Sequence, residues 1–110
     1  MSNYLQVSTV AGDRETAAKL AGAAVAAKLA AGAQVSGPVM SFFWHLGQSG
    51  EGEEWQVTLK TRADRYPELE ALLLREHIWE NPEVSAIPLV NGTAAYFAWI
   101  DRTVGGEAQS

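Results

Sequence analysis

An α+β fold, with two helices laid on one face of a four-stranded antiparallel sheet, is what this sequence predicts, and three observations carry the prediction. Extended segments rich in strand formers flank two segments with an apolar stripe at helical spacing, in the order strand, helix, strand, strand, helix, strand. The two central strands are joined through a glycine-rich stretch with no helix between them, which makes a long hairpin. The length, 110 residues, suits one domain with a core of its own.

Tyr4 to Val10 alternates with period two, so that Leu5, Val7 and Thr9 share one face of a first strand. Asp13, with Thr16 three positions on and Glu15 in the first turn, opens a helix. Ala17, Leu20, Ala21, Ala24 and Val25 form its apolar stripe. The pattern runs to about Ala31, with Gly32 placed as a left-handed terminus. Gln34 to Leu46 is extended, with a bend or edge expected at Gly37-Pro38. Gly47 to Glu53 is turn chemistry, and Glu54 to Thr61 returns as the third strand. Asp64 is placed to cap a second helix that carries Pro67 in its first turn, buries Tyr66, Leu69, Leu72 and Leu73, and ends near His77. Val84 to Val90 is the fourth strand. Thr93 opens a terminal helix with Tyr96, Trp99 and Ile100 on one face, and residues 105–110 have the composition of a disordered tail. The order is that of the split-βαβ, or ferredoxin-like, β-α-β-β-α-β arrangement with an added C-terminal helix, spanning 4–104 as one domain.

The charge balance narrows the functions this fold could carry. Eight Lys and Arg against thirteen Asp and Glu give a net charge of −5, which disfavours a surface that tracks nucleic-acid phosphates. The third strand also offers one aromatic, Trp55, where base-stacking relatives of this architecture need several, so no nucleic acid is expected as a partner. With no cysteine, disulfides and thiolate metal sites are excluded. No apolar run reaches the roughly 20 residues of a membrane span, and the N-terminus lacks a basic region followed by an apolar core, so a soluble cytoplasmic protein is the expectation. The glycines of 47–53 are followed by neither a helix start nor Lys-Ser/Thr, so they do not read as a phosphate cradle.

Chemistry concentrates in Glu76-His77-Ile78-Trp79-Glu80-Asn81-Pro82-Glu83-Val84, where a helical pattern gives way to an extended one. A histidine, three carboxylates and a large aromatic meet there on a loop between rigid elements. A helix end followed by proline also gathers polar residues simply because the chain is leaving the core.

Several motifs occur together in order and spacing. They are Thr9-Val10 closing the first strand, Lys28-Leu29-Ala30-Ala31 closing the first helix, and Glu54 six residues before Lys60-Thr61. Then come His77-x-x-Glu80-x-Pro82-Glu83-Val84, Ile87-Pro88, and Tyr96-x-x-Trp99-Ile100. In this combination the chain, from about Tyr4 to Val104, resembles the CutA family of divalent-cation-tolerance proteins. The resemblance implies a homotrimer of PII-like architecture that binds copper or another divalent cation, with no established reaction. It also implies that Glu54, Lys60, His77, Glu80 and Glu83 line clefts between subunits, with Trp99 as packing. The hairpin aromatics Phe42, Phe43, Trp44 and Trp55, with Tyr96 and Trp99, give a trimer a physical motive, since a monomer this small would leave them wet.

Departures from the family pattern bear on the ligand. Gly32 stands where the family has cysteine, Gln34 for asparagine, Phe43 for tyrosine, His45 for tryptophan, and Ile78-Trp79 for Pro-Tyr. Without that cysteine the soft ligand for Cu(I) is gone, and Met1 and Met40 do not replace it. Copper(II), nickel or zinc, which accept nitrogen and oxygen donors, become the expected cations. His77 and Glu80, three apart, would share a face if the helix continued through them, and His45 is a further imidazole, so these three are the candidate metal ligands. Two other readings stand beside this one. Lys60 and His77 could hold a small anionic ligand in a sensor, or the trimer could serve as a scaffold. An enzyme would use His77 as general base oriented by Glu80, but no nucleophile or cofactor motif accompanies them, and catalysis is not expected.

Overall fold

The computed structural model describes residues 2–105. Strand β1 (Tyr4–Ala11) is followed by helix α1 (Arg14–Ala26), the long strands β2 (Gly32–His45) and β3 (Gln48–Arg62), helix α2 (Tyr66–Glu76), strand β4 (Val84–Pro88) and helix α3 (Ala94–Val104). The four strands form one antiparallel sheet in the order β2-β3-β1-β4. This is the predicted ferredoxin-like arrangement with its additional helix.

The register explains where the core sits. Val7 lies opposite Leu59 and Thr9 opposite Val57, and Ala33 and Val35 on β2 face the same two residues from the other side. Because side chains alternate, that row points to one face of the sheet. The face is covered by Ala17, Leu20, Ala21 and Ala24 of α1 and Leu69, Leu72 and Leu73 of α2, which together make the main core. The alanines let α1 lie close on the strands. A second, smaller cluster forms on the opposite face, where Ile100 and Val104 of α3 pack with Ala31. There Tyr4 stacks on Phe97 with ring centroids 4.1 Å apart. Phe97, not Tyr96, is therefore the aromatic that α3 turns inward. Tyr96 and Trp99 stay more than a third exposed, because the buried stripe of α3 follows Phe97, Ile100 and Val104.

Four boundaries differ from the sequence expectation. Helix α1 ends at Ala26, five residues before Ala31, because Lys28 takes the left-handed conformation (φ 58°) expected of Gly32. The Leu29 amide then donates to the Ala24 carbonyl at 3.1 Å and the Lys28 amide to Val25 at 3.0 Å. These are the two bonds of a Schellman ending, and they turn Leu29 down into the main core. Gly32 is instead the first residue of β2.

The predicted loop at 47–53 is mostly strand. A two-residue turn at Leu46-Gly47, both with positive φ (53° and 79°), closes the hairpin. Phe43 then faces Gly50 and Ser41 faces Gly52. A Cβ at Gly50 would stand 3.2 Å from Cε1 of Phe43, so this glycine leaves room for the ring across the ladder, and the stretch is paired strand and not a loop. The bend expected at Gly37-Pro38 is present as a register shift between Ser36 and Val39.

Asp64 does not cap α2. Its carboxylate accepts both Nε (2.9 Å) and Nη2 (2.8 Å) of Arg62, in a 3-10 turn at Ala63–Arg65 that precedes the helix. Strand β4 stops at Pro88, two residues before Val90. Of the expected tail at 105–110, all but Gly105 lies outside the described residues.

Candidate functional site

Helix α2 delivers His77 to the main sheet. Its backbone amide still donates to the Leu73 carbonyl at 3.0 Å, but its own conformation is extended (φ −77°, ψ 146°), so the helix stops there. The side chain is 8% exposed. Strand β4 pairs with β1 only as far as Thr9, which leaves the carbonyl of Val10 one residue beyond the ladder. His77 Nε2 takes it at 2.7 Å. On the other side of the ring, the Trp79 amide donates to Nδ1 at 3.0 Å. A carbonyl can only accept and an amide N–H can only donate, so the geometry requires the neutral imidazole protonated on Nε2. The Trp79 ring lies 5.0 Å from that of His77 and rests against the turn between β1 and α1, 3.4 Å from where a Cβ on Gly12 would stand.

The remaining predicted residues are spread over the molecule. Because α2 ends before His77, Glu80 does not share a helical face with it; Glu80 is exposed in the loop toward β4. Glu83 is exposed too and accepts the Ser85 hydroxyl at 3.0 Å. Glu54 lies opposite Val39, just past the register shift, while Lys60 lies opposite both Gln6 and Gly32 at the other end of β3. Six residues of strand separate them by about 20 Å. Both point to the sheet face opposite α1 and α2, away from His77. His45 is exposed beside the hairpin turn, opposite Gln48. Among the described residues, no three His, Asp or Glu side chains converge as a metal site needs.

The polar network that does assemble is structural. The Tyr4 hydroxyl donates to Asp101 Oδ2 at 2.9 Å, and Arg62 reaches Asp101 at 3.4 Å as well as Asp64. This ties α3 to the ends of β1 and β3. The hydrogen bond to Asp101 raises the Tyr4 pKa above its ordinary value, and the Arg62 guanidinium lowers that of Asp64. Sequence reading missed this network because its partners lie 97 and 39 residues apart.

The distal hairpin forms the other notable surface. Beyond the register shift Met40 (62% exposed), Phe42 (73%), Trp44 (76%) and Leu46 (88%) stand in a line on an arm that stretches the molecule to 47 Å against 26 and 21 Å. A hollow of about 410 Å³ there is lined by Phe42, Phe43, Trp44, Ser49, Gly50 and Glu51. A second, of about 440 Å³, lies along the β4 edge, lined by Ser2, Leu5, Pro88 and Val90. Neither includes His77, Glu80 or Glu83. No helix among the described residues is long and apolar enough to cross a membrane.

These features have counterparts in known proteins. Residues 5–103 match the family model described as CutA1 divalent ion tolerance protein. A divalent-cation tolerance protein CutA from Archaeoglobus fulgidus is 31% identical over 104 residues, covering 94% of this chain and 99% of the relative. One from Escherichia coli is 30% identical over 98 residues, covering 89% and 88%. Among solved structures, the periplasmic divalent cation tolerance protein CutA from A. fulgidus superposes with a TM-score of 0.88 at 30% identity, over 92% of this chain and 98% of that one. The stable protein CutA1 from Shewanella sp. SIB1 gives 0.87 at 31% identity, over 91% and 94%. With the whole sheet, its three helices and nearly every described residue accounted for, the chain belongs to the CutA1 divalent ion tolerance family.

Proposed function

We propose that this protein acts in divalent-cation tolerance as a homotrimer whose copies complete one another's cation sites. The carrying observation is the arm that projects from the core: it carries four large apolar side chains, each more than 60% exposed, three on β2 and one in the hairpin turn. A surface of this kind on a chain of 110 residues calls for a partner, and a second copy, presenting the same arm, is the simplest closed solution. The dispersal of Glu54, Lys60, Glu80 and Glu83 over one chain agrees with this, since clefts between copies could gather what a single subunit keeps apart. The donors open to a cation are the exposed carboxylates Glu80 and Glu83, the half-buried Glu54, and the exposed imidazole of His45. With no cysteine in the chain, such a set suits copper(II), zinc or nickel better than Cu(I).

One observation favours a second ligand class. Lys60 is half-buried and has no carboxylate partner among the described residues, so its ammonium could hold a small anion in a cleft completed by a second copy. Sedimentation at micromolar concentration should give a mass about three times that of the chain; a monomer would remove the assembly. Calorimetry with copper(II) should show saturable binding that the double variant Glu80→Gln, Glu83→Gln weakens at least about tenfold. An unchanged isotherm would remove those two carboxylates as ligands.

A further inference from the structure

His77 is the one predicted ligand that the fold has already used. Its amide is bonded to Leu73, its Nε2 to the Val10 carbonyl, and its Nδ1 to the Trp79 amide. A metal binds through an imidazole lone pair, and a neutral ring has one, on the nitrogen without the proton. Here that lone pair lies on Nδ1 and already accepts the Trp79 N–H. Coordination through Nδ1 would strip the acceptor from that amide. Coordination through Nε2 would first have to deprotonate it and break the bond to Val10.

We infer that His77 is a clasp and not a cation ligand: it is a positioning residue, locked as the Nε2–H tautomer, that fastens the loop between α2 and β4 to the open end of β1. Each contact has a distinct task. The bond to Val10 supplies the ladder partner that β4, ending its pairing at Thr9, does not provide. The bond from Trp79 reverses the chain two residues after the helix and sets the indole against Gly12. Pro82 is buried further along the same loop, so the segment is held at both ends while Glu80, between them, faces solvent.

The charged groups carried by the surroundings fit this neutral role. They are Arg75 and Glu76 at the end of α2, which pair with each other at 3.7 Å, Asp13 beside the β1 end, engaged with Thr16, and Glu80 and Glu83 in the loop, while β4 carries none. Among the described residues no carboxylate is hydrogen-bonded to the ring. The inference deepens the proposed function by leaving the carboxylates, with His45, as donors, and it rests on that reading only for the zinc arm of its test.

The test is ¹⁵N NMR of the histidine rings in the full-length protein, before and after zinc(II). In metal-free protein His77 should give the pattern of a neutral Nε2–H tautomer, and zinc should leave both of its ring nitrogens unshifted while His45 or the carboxylates respond. An Nδ1–H tautomer, or a zinc-induced shift at either His77 nitrogen, overturns the clasp. If zinc does not bind at all, the proposed function fails, and the metal-free tautomer still decides the present inference. In parallel, His77→Gln should raise the amide exchange rate of Trp79 at least about tenfold, as the loss of one part-buried hydrogen bond predicts. An exchange rate equal to that of the parent protein overturns it.

Discussion

The two halves of the β2–β3 hairpin are made of the same backbone and end in opposite circumstances. On the near side of the register shift at Ser36/Val39, Val35 faces Val57 and Ala33 faces Leu59, under two helices, and Val57 and Leu59 are fully buried. On the far side Met40, Phe42 and Trp44 continue the alternation and stay exposed. Composition does not distinguish the halves; the far one is, if anything, the more aromatic. What differs is the helical cover. Burial within one chain stops where α1 and α2 stop, and the remaining apolar strand surface is left for another molecule.

Substitutions on each side should therefore be read by different measurements. Leu59→Ala, at a fully buried position, should lower the unfolding free energy by about 3 kcal/mol, seen as a fall in the denaturant midpoint. A loss below about 1 kcal/mol would show that the near half is not the rigid base described here. Phe42→Ser with Trp44→Ser should act differently. Circular dichroism of the subunit should be retained, while sedimentation shifts from oligomer to monomer. An undisturbed oligomer would break the contrast, because the arm would then be solvent-exposed surface with no partner.

The smallest expected effect has the opposite sign. Thr9 is fully buried opposite Val57, and its hydroxyl has no hydrogen-bond partner among the described residues. Thr9→Val keeps the shape and removes an unsatisfied polar atom, so it should stabilise the protein by about 1 kcal/mol. A destabilised variant would mean that the hydroxyl has a partner in solution.

Much of the fold was legible in the sequence because its signals are local and periodic. The Asp13 cap accepts the Thr16 amide at 2.7 Å as its spacing predicts. Thr93 caps α3 in the same way, and the Leu69, Leu72, Leu73 stripe is buried. The misplaced boundaries share a cause, which is that a tertiary contact outweighed a local preference. Lys28 accepts a left-handed backbone so that Leu29 can enter the core, although Gly32 is the better residue for that conformation. Gly50 and Gly52 read as a loop because glycine is a turn residue, but Phe43 across the ladder claims the space over Gly50. Asp64 has the chemistry of a cap and is taken by Arg62.

The candidate site was legible only as a list of residues. His77 was found by its setting at a helix end, but both of its ring nitrogens are committed to backbone groups that its residue type does not announce. One of these, the Val10 carbonyl that accepts from Nε2, is 67 positions away. Glu54 and Lys60 sit on one strand, whose rise already keeps them about 20 Å apart, so only a second chain could bring either to a shared site.

Gly32 on β2 and Trp99 on α3 are coupled through space. A Cβ built at Gly32 would lie 3.1 Å from Cη2 of Trp99, so any larger residue at position 32 asks the indole to give by a few tenths of an ångström. A sulfur donor introduced by Gly32→Cys would therefore be felt by the helix that carries the ring, and Trp99→Phe together with Gly32→Cys would relieve the contact.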